Sequence, residues 1–199
     1  HALSNFVHTL YEKAGNPEAL YFLDKTPRYH LIIPEISQIF PSAKFIFLFR
    51  NPLQILASHI ETWTNGKLRL ERYYTDLYRG PKLLAEGYES LKENSIRIHF
   101  DDLVQKTDEV LKNIFDYLEL EHNSSIIEKF SKMELIGQFG DKEGYFKYSQ
   151  IESQVVEKWK EVFTTKYRKK FAKTYISKFS SHTLNSFGYD RGMLVKLID

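Results

Sequence analysis

Three polar side chains stand where strand-like runs give way to turns or helices. They are Lys25 in YFLDKTP, and Arg50 and Ser58 in KFIFLFRNPLQILASH, residues 44–59. An arginine closing an apolar strand presents a planar fork of donors that suits a phosphate or sulfate. Ser58 comes seven residues after Asn51, and two helical turns return its hydroxyl to the face on which the helix begins. An anion beside that helix would take the guanidinium from one side and the hydroxyl from the other. The same pair would also arise from a surface arginine and a serine that does no more than solvate its helix.

The elements that must position these groups alternate between strand and helix. Residues 2–14 carry Leu3, Phe6, Val7, Leu10 and Tyr11 at helical spacing, closed by Gly15-Asn16-Pro17. The apolar run ALYFLD, 19–24, predicts a buried strand, and a helix follows over about residues 30–40. KFIFLF, 44–49, is apolar on both faces, as a central parallel strand should be, and Pro52 sits where the next helix starts. One or two helices with a break near Gly80-Pro81 occupy 66–93. SIRIHF, 95–100, alternates as a strand, and Asp101-Asp102 precede a helix over about 108–118, Asp102 as its cap. A short helix near 124–133, a glycine-punctuated loop over 137–150 and two closing helices near 153–163 and 166–186 complete the chain. This alternation predicts a single α/β domain over residues 1–199, a parallel sheet flanked by helices.

Composition excludes several classes of function. The 199 residues are 42% hydrophobic, with 15 Phe, 13 Tyr and 2 Trp, enough for a sizeable core. A net charge of +2 argues against a nucleic-acid partner, yet leaves room for a small anion held by a few local cations. With no cysteine, disulfides and thiolate metal sites are ruled out, in keeping with a reducing, cytoplasmic setting. The seven histidines are scattered without metal-ligand spacing, so no metal is expected. No apolar run approaches the roughly 18 residues that span a bilayer.

The segment LDKTPRYHLIIPEISQIFPSAKFIFLFRNPLQILASH resembles the centre of sulfotransferases that use 3′-phosphoadenosine 5′-phosphosulfate (PAPS). Through that resemblance Arg50 and Ser58 match the pair that binds the donor's 3′-phosphate. Lys25, in Lys25-Thr26-Pro27, matches the lysine that reaches the bridging oxygen of the leaving group. HFDDLVQKTDEVLKNIFDYLEL resembles a later segment of the family and brings Phe100 near the adenine. FGDKEGYFKYSQIESQVVEKWKE resembles the family's Gly-Asp loop and Trp-bearing helix through Gly140, Asp141 and Trp159, and FGYD, 187–190, its closing Leu-Gly-Tyr. The likeness runs in order over nearly the whole chain. It implies a P-loop NTPase-like fold, PAPS as co-substrate without a metal, and transfer to a hydroxyl or amine of a small-molecule, carbohydrate or peptide acceptor. Lys142 and Lys147 are candidates to close over the donor phosphates, and Tyr145, Trp63, Tyr73, Tyr74 and Tyr78 to line the acceptor pocket.

Two departures from the family accompany the likeness. Its first phosphate loop, a strand followed by a Pro-Arg-Ser-Gly-Thr-like turn whose N–H groups cradle the phosphosulfate, would precede residue 1. Some members carry a catalytic histidine two residues after the lysine, where this chain has Pro27. Lys-Thr-Pro members use an upstream carboxylate. Asp24, His8 and His30 are the local substitutes, each more readily explained as structural. Two other readings stand beside the sulfotransferase: a P-loop kinase or nucleotidase, and a non-catalytic or truncated nucleotide-binding module.

Overall fold

Strands β1 (Phe45–Phe49) and β2 (Ser95–His99) form a parallel pair in the computed structural model, which describes residues 2–129 and 152–199. Phe45 faces Ser95 at one end of the ladder and Phe49 faces His99 at the other. Parallel neighbours need a crossover, and α3 (Pro52–Thr64) and α4 (Gly80–Ser90) lie within it. Both strands therefore finish at the same edge, where α3 and α5 (Phe100–Gln105) begin.

β1 alternates more sharply than its composition suggests. Phe47 and Phe49 are buried, with the Tyr88 ring edge-on to both at 5.6 Å, while Ile46 and Leu48 stay exposed. Successive strand side chains point to opposite faces, and among the described residues only one face of β1 is covered. The expectation of burial on both faces is corrected accordingly. The covered face packs with Ile33 of α2 (Ile33–Ile39), Ala85 of α4 and Phe187.

The strand expected over 19–24 does not form. The segment lies after α1 (Ala2–Ala14) without a ladder partner among the described residues, and Leu20 and Leu23 are more than four-fifths exposed. Side chains rather than backbone bonds hold it: Phe22 stacks on Tyr11 at 4.4 Å, and the Tyr21 hydroxyl donates to the Leu118 carbonyl at 3.0 Å. An apolar run says nothing about which neighbour would pair with it, and pairing is what makes a strand.

Around this frame the helices are shorter than the periodicity suggests. A 3₁₀ turn, Tyr29–Leu31, precedes α2. The break expected near Gly80-Pro81 is a change of helix type, with α4 starting there because a proline N–H is dispensable in the first turn. A π turn, Thr75–Arg79, feeds into it. Asp102 lies inside the first turn of α5 and pairs with Lys106 at 3.6 Å, so it caps neither α5 nor α6 (Thr107–Leu118). α7 (Ser125–Lys129) falls within the expected 124–133, and the loop over 137–150 lies outside the described residues.

The helix expected over 153–163 is two 3₁₀ turns, Ser153–Val156 and Lys158–Phe163. Val156, Trp159 and Val162, all buried, recur every third residue, which a three-residue turn stacks on one face. The last expected helix divides into α8 (Lys166–Ser177) and α9 (Ser181–Ser186), because the Ser180 hydroxyl accepts the Thr183 N–H at 3.0 Å and starts the second. α10 (Arg191–Lys196) closes the chain, capped by Asp190. The main core gathers Leu53, Leu56 and Ile60 of α3 against Trp159, Ile176 and Leu194. No helix among the described residues is long and apolar enough to cross a membrane.

Candidate active site

Asn51 sets the direction of α3 immediately after β1. Its side-chain oxygen accepts the Leu53 N–H at 2.9 Å, and Pro52 follows in the first turn. Arg50 is thereby left at the carboxyl end of β1, the edge of a parallel sheet where ligands bind. Its guanidinium lies over the Phe100 ring, 4.3 Å from the centroid, and its Nε donates to Gln54 Oε1 at 2.9 Å. Gln54, 2% exposed, donates onward to Asp101 Oδ1 at 2.7 Å and to the Val156 carbonyl at 3.0 Å. The Tyr189 hydroxyl reaches the other oxygen of Asp101 at 3.5 Å. Phe100 and Gln54 thus hold the guanidinium, and Asp101, Val156 and Tyr189 extend the network behind Gln54.

Ser58 is half-buried on α3, one turn beyond Gln54. Positions four apart on a helix share a stripe, so the stripe that takes the Nε bond of Arg50 also carries the serine. Phe100 supports Arg50 from below, a role that a reading of Phe100 as an adenine contact did not include. Gln54 and Asp101 were missed by the sequence reading. The signal for Gln54 was its position four residues after Arg50, within reach of the arginine.

Arg50 also borders a cleft of about 520 Å³. One wall is the α3 stripe Ile55, His59 and Trp63; the other is Tyr73, Asp76 and the start of α4. Pro27, Arg28 and His30 close it from the loop before α2. Arg28 and Asp76 pair bidentately across this side at 2.9 and 2.8 Å. His30 turns its Nε2 away from solvent, without a partner, against Gly80, where an added Cβ would come within 3.0 Å of it. Desolvation by that burial pushes the imidazole below its ordinary value.

Of the residues expected at an acceptor pocket, Trp63 and Tyr73 line the cleft. Tyr74 is exposed and does not, stacking instead on Tyr78 at 5.2 Å. Tyr78 packs against the core tyrosine Tyr175. Lys25 is exposed in the turn that leads to Pro27 at the cleft edge. Next to it, the Asp24 carboxylate receives the hydroxyls of Tyr11 and Tyr29 on one oxygen and that of Thr26 on the other. Burial first, and then the bond to Asp24, push the Tyr11 phenol up. Gly140, Asp141, Lys142, Tyr145 and Lys147 lie outside the described residues. No group of His, Asp or Glu among the described residues could hold a metal ion.

An arginine anchored at the strand ends beside a cleft is the arrangement this α/β frame offers to a ligand. The chain belongs to the sulfotransferase family, whose model matches residues 1–124. That span includes Lys25, Arg50, Ser58 and Phe100. The chain is also 23% identical over 167 residues to a protein-tyrosine sulfotransferase candidate of Caenorhabditis briggsae. The match takes in 77% of this chain and 55% of that protein, so the chain spans about half the length of the curated relative. No solved structure matches the chain.

Proposed function

We propose that the protein transfers a sulfuryl group from PAPS to a hydroxyl or amine acceptor, with the donor's 3′-phosphate on Arg50 and Ser58. The observation that carries this reading is the Arg50 anchor. The guanidinium is stacked on Phe100 and tied to the α3 stripe that bears Ser58, and Arg50 lines the cleft. Sulfuryl transfer resembles phosphoryl transfer, an in-line displacement with charge spread over the equatorial and leaving oxygens. The protein's share is to position the two reactants and stabilise that charge. Arg50 and Ser58 do no chemistry in this scheme; they hold the far end of the donor so that the sulfur comes to rest in a fixed place. Lys25 neutralises the leaving phosphate. The cleft wall of Trp63 and Tyr73 receives the acceptor, and the C. briggsae relative makes a tyrosine-bearing peptide the first acceptor to assay.

Calorimetric titration with adenosine 3′,5′-bisphosphate against ATP and ADP tests the donor assignment, because those two carry no 3′-phosphate. A charge-assisted contact is worth about 1.5–3 kcal/mol, so the bisphosphate should bind about 10- to 150-fold more tightly. Equal or reversed affinities would point to a nucleoside-triphosphate enzyme instead.

A further inference from the structure

We propose that His59 is the general base that takes the acceptor's proton, a role that rests on the sulfuryl-transfer reading of this cleft. His59 follows Ser58 on α3 and lines the cleft that Arg50 borders. Its Nδ1 lies 3.0 Å from the Ile55 carbonyl. A carbonyl oxygen can only accept, so Nδ1 carries the hydrogen, and the neutral ring keeps its lone pair on Nε2. The ring is held from a second side. Tyr73 packs edge-on to it at 5.7 Å and is itself tied by its hydroxyl to the Trp63 carbonyl at 3.3 Å. An imidazole with a fixed tautomer and a fixed plane, in the same cleft as the donor-binding arginine, has the attributes of a positioned base.

The other candidates are each committed elsewhere. The Asp24 carboxylate is occupied by two phenols and a threonine hydroxyl. His30 has its Nε2 buried against Gly80. His8 packs edge-on to Phe40 at 4.8 Å on α1 and does not line the cleft. The charged groups that line the same cleft as His59 are Arg50 from the end of β1 and the mutually paired Arg28 and Asp76; the other titratable groups lining it are His30 and Tyr73.

In the step this assigns, the acceptor oxygen forms a bond to sulfur while its proton passes to Nε2 of His59. The bond between sulfur and the bridging oxygen breaks, and its electron pair stays on the phosphate of adenosine 3′,5′-bisphosphate. The imidazolium then returns its proton to water.

The test compares the parent protein with H59N and H59Q. An asparagine amide sits where Nδ1 was and can keep the bond to Ile55, so H59N retains the structural role and lacks the base. Bisphosphate affinity should stay within about twofold, and kcat with a tyrosine peptide or 2-naphthol as acceptor should fall about 10²- to 10⁴-fold, the usual worth of a positioned base. Carbethoxylation mapped by mass spectrometry reads the same nitrogen without an acceptor: His59 should be modified ahead of His30. A variant that keeps the rate, or modification of His30 first, overturns the assignment while leaving the donor site intact. A parent protein that binds no bisphosphate removes the sulfuryl-transfer reading, and the base with it.

Discussion

Replacing Arg50 isolates the contact on which the donor assignment turns. In the free protein its guanidinium is already placed by the Phe100 ring at 4.3 Å and the Gln54 amide at 2.9 Å. Little rotamer freedom then remains to be lost on binding, and the charge-assisted contact to a phosphate should appear almost whole in the affinity. Removing it with R50A should cost about 1.5–3 kcal/mol, which is about 10- to 150-fold in Kd. Adenosine 5′-monophosphate serves as the internal control, since it lacks the 3′-phosphate. R50A should bring the two ligands to nearly the same affinity by weakening only the bisphosphate. R50K keeps the charge but loses the planar fork, the bond to Gln54 and the stack on Phe100, so it should fall between the parent and R50A. Calorimetry at two salt concentrations reads all of this, and the parent's preference should shrink at the higher one. If R50A still favours the bisphosphate by the parent's margin, Arg50 does not hold the 3′-phosphate and the donor site lies elsewhere.

Three further outcomes follow from the surroundings of this arginine. Q54L removes the bond to Arg50 and the amide's bonds to Asp101 Oδ1 and the Val156 carbonyl. Urea denaturation should register a loss of about 2–4 kcal/mol, with weaker bisphosphate binding alongside. Gly188 has φ +79°, and a Cβ there would stand 2.6 Å from the His99 ring. G188A should therefore destabilise by about 1–3 kcal/mol through backbone strain and overpacking combined, read as a lower Tm. His30 and His99 are both pushed below the ordinary 6.5, in each case chiefly by burial. Below pH 6.5 the unfolded chain binds protons that the folded imidazoles refuse, so stability is full above that value and declines as the pH falls towards the depressed ones. Urea midpoints between pH 7.5 and 5 should follow this slope, and H99Q should flatten it.

What could be read in advance was local. Arg50-Asn51-Pro52 announces a strand end, a cap and a helix start within three residues, and each is governed by its own backbone neighbours. Gly80-Pro81 carried the same kind of signal, and the helical path changes there from a π turn to α4. The apolar run 19–24 matched strand chemistry, but a strand is a relation between two segments, and composition describes only one of them.

The candidate site divides along the same line. Arg50 and Ser58 could be proposed from the sequence because a strand end and the helix that follows it lie close along the chain. Phe100, Asp101 and Val156 reach Arg50 and Gln54 from 47 or more positions away along the chain, so no local pattern could connect them. His59 was hidden for a different reason. One lone histidine on a helix carries no sequence signature, and its meaning comes from a carbonyl one turn back and a cleft built by Tyr73, Asp76 and Pro27. Arg50 and the proposed base thus lie on opposite sides of what a sequence can express: the first is fixed by its own strand and helix, the second by what the crossover folds against it. Substitutions within the crossover, at Tyr73 above all, should for that reason disturb acceptor turnover while leaving bisphosphate affinity in place, and steady-state kinetics beside calorimetry on Y73A would separate the two.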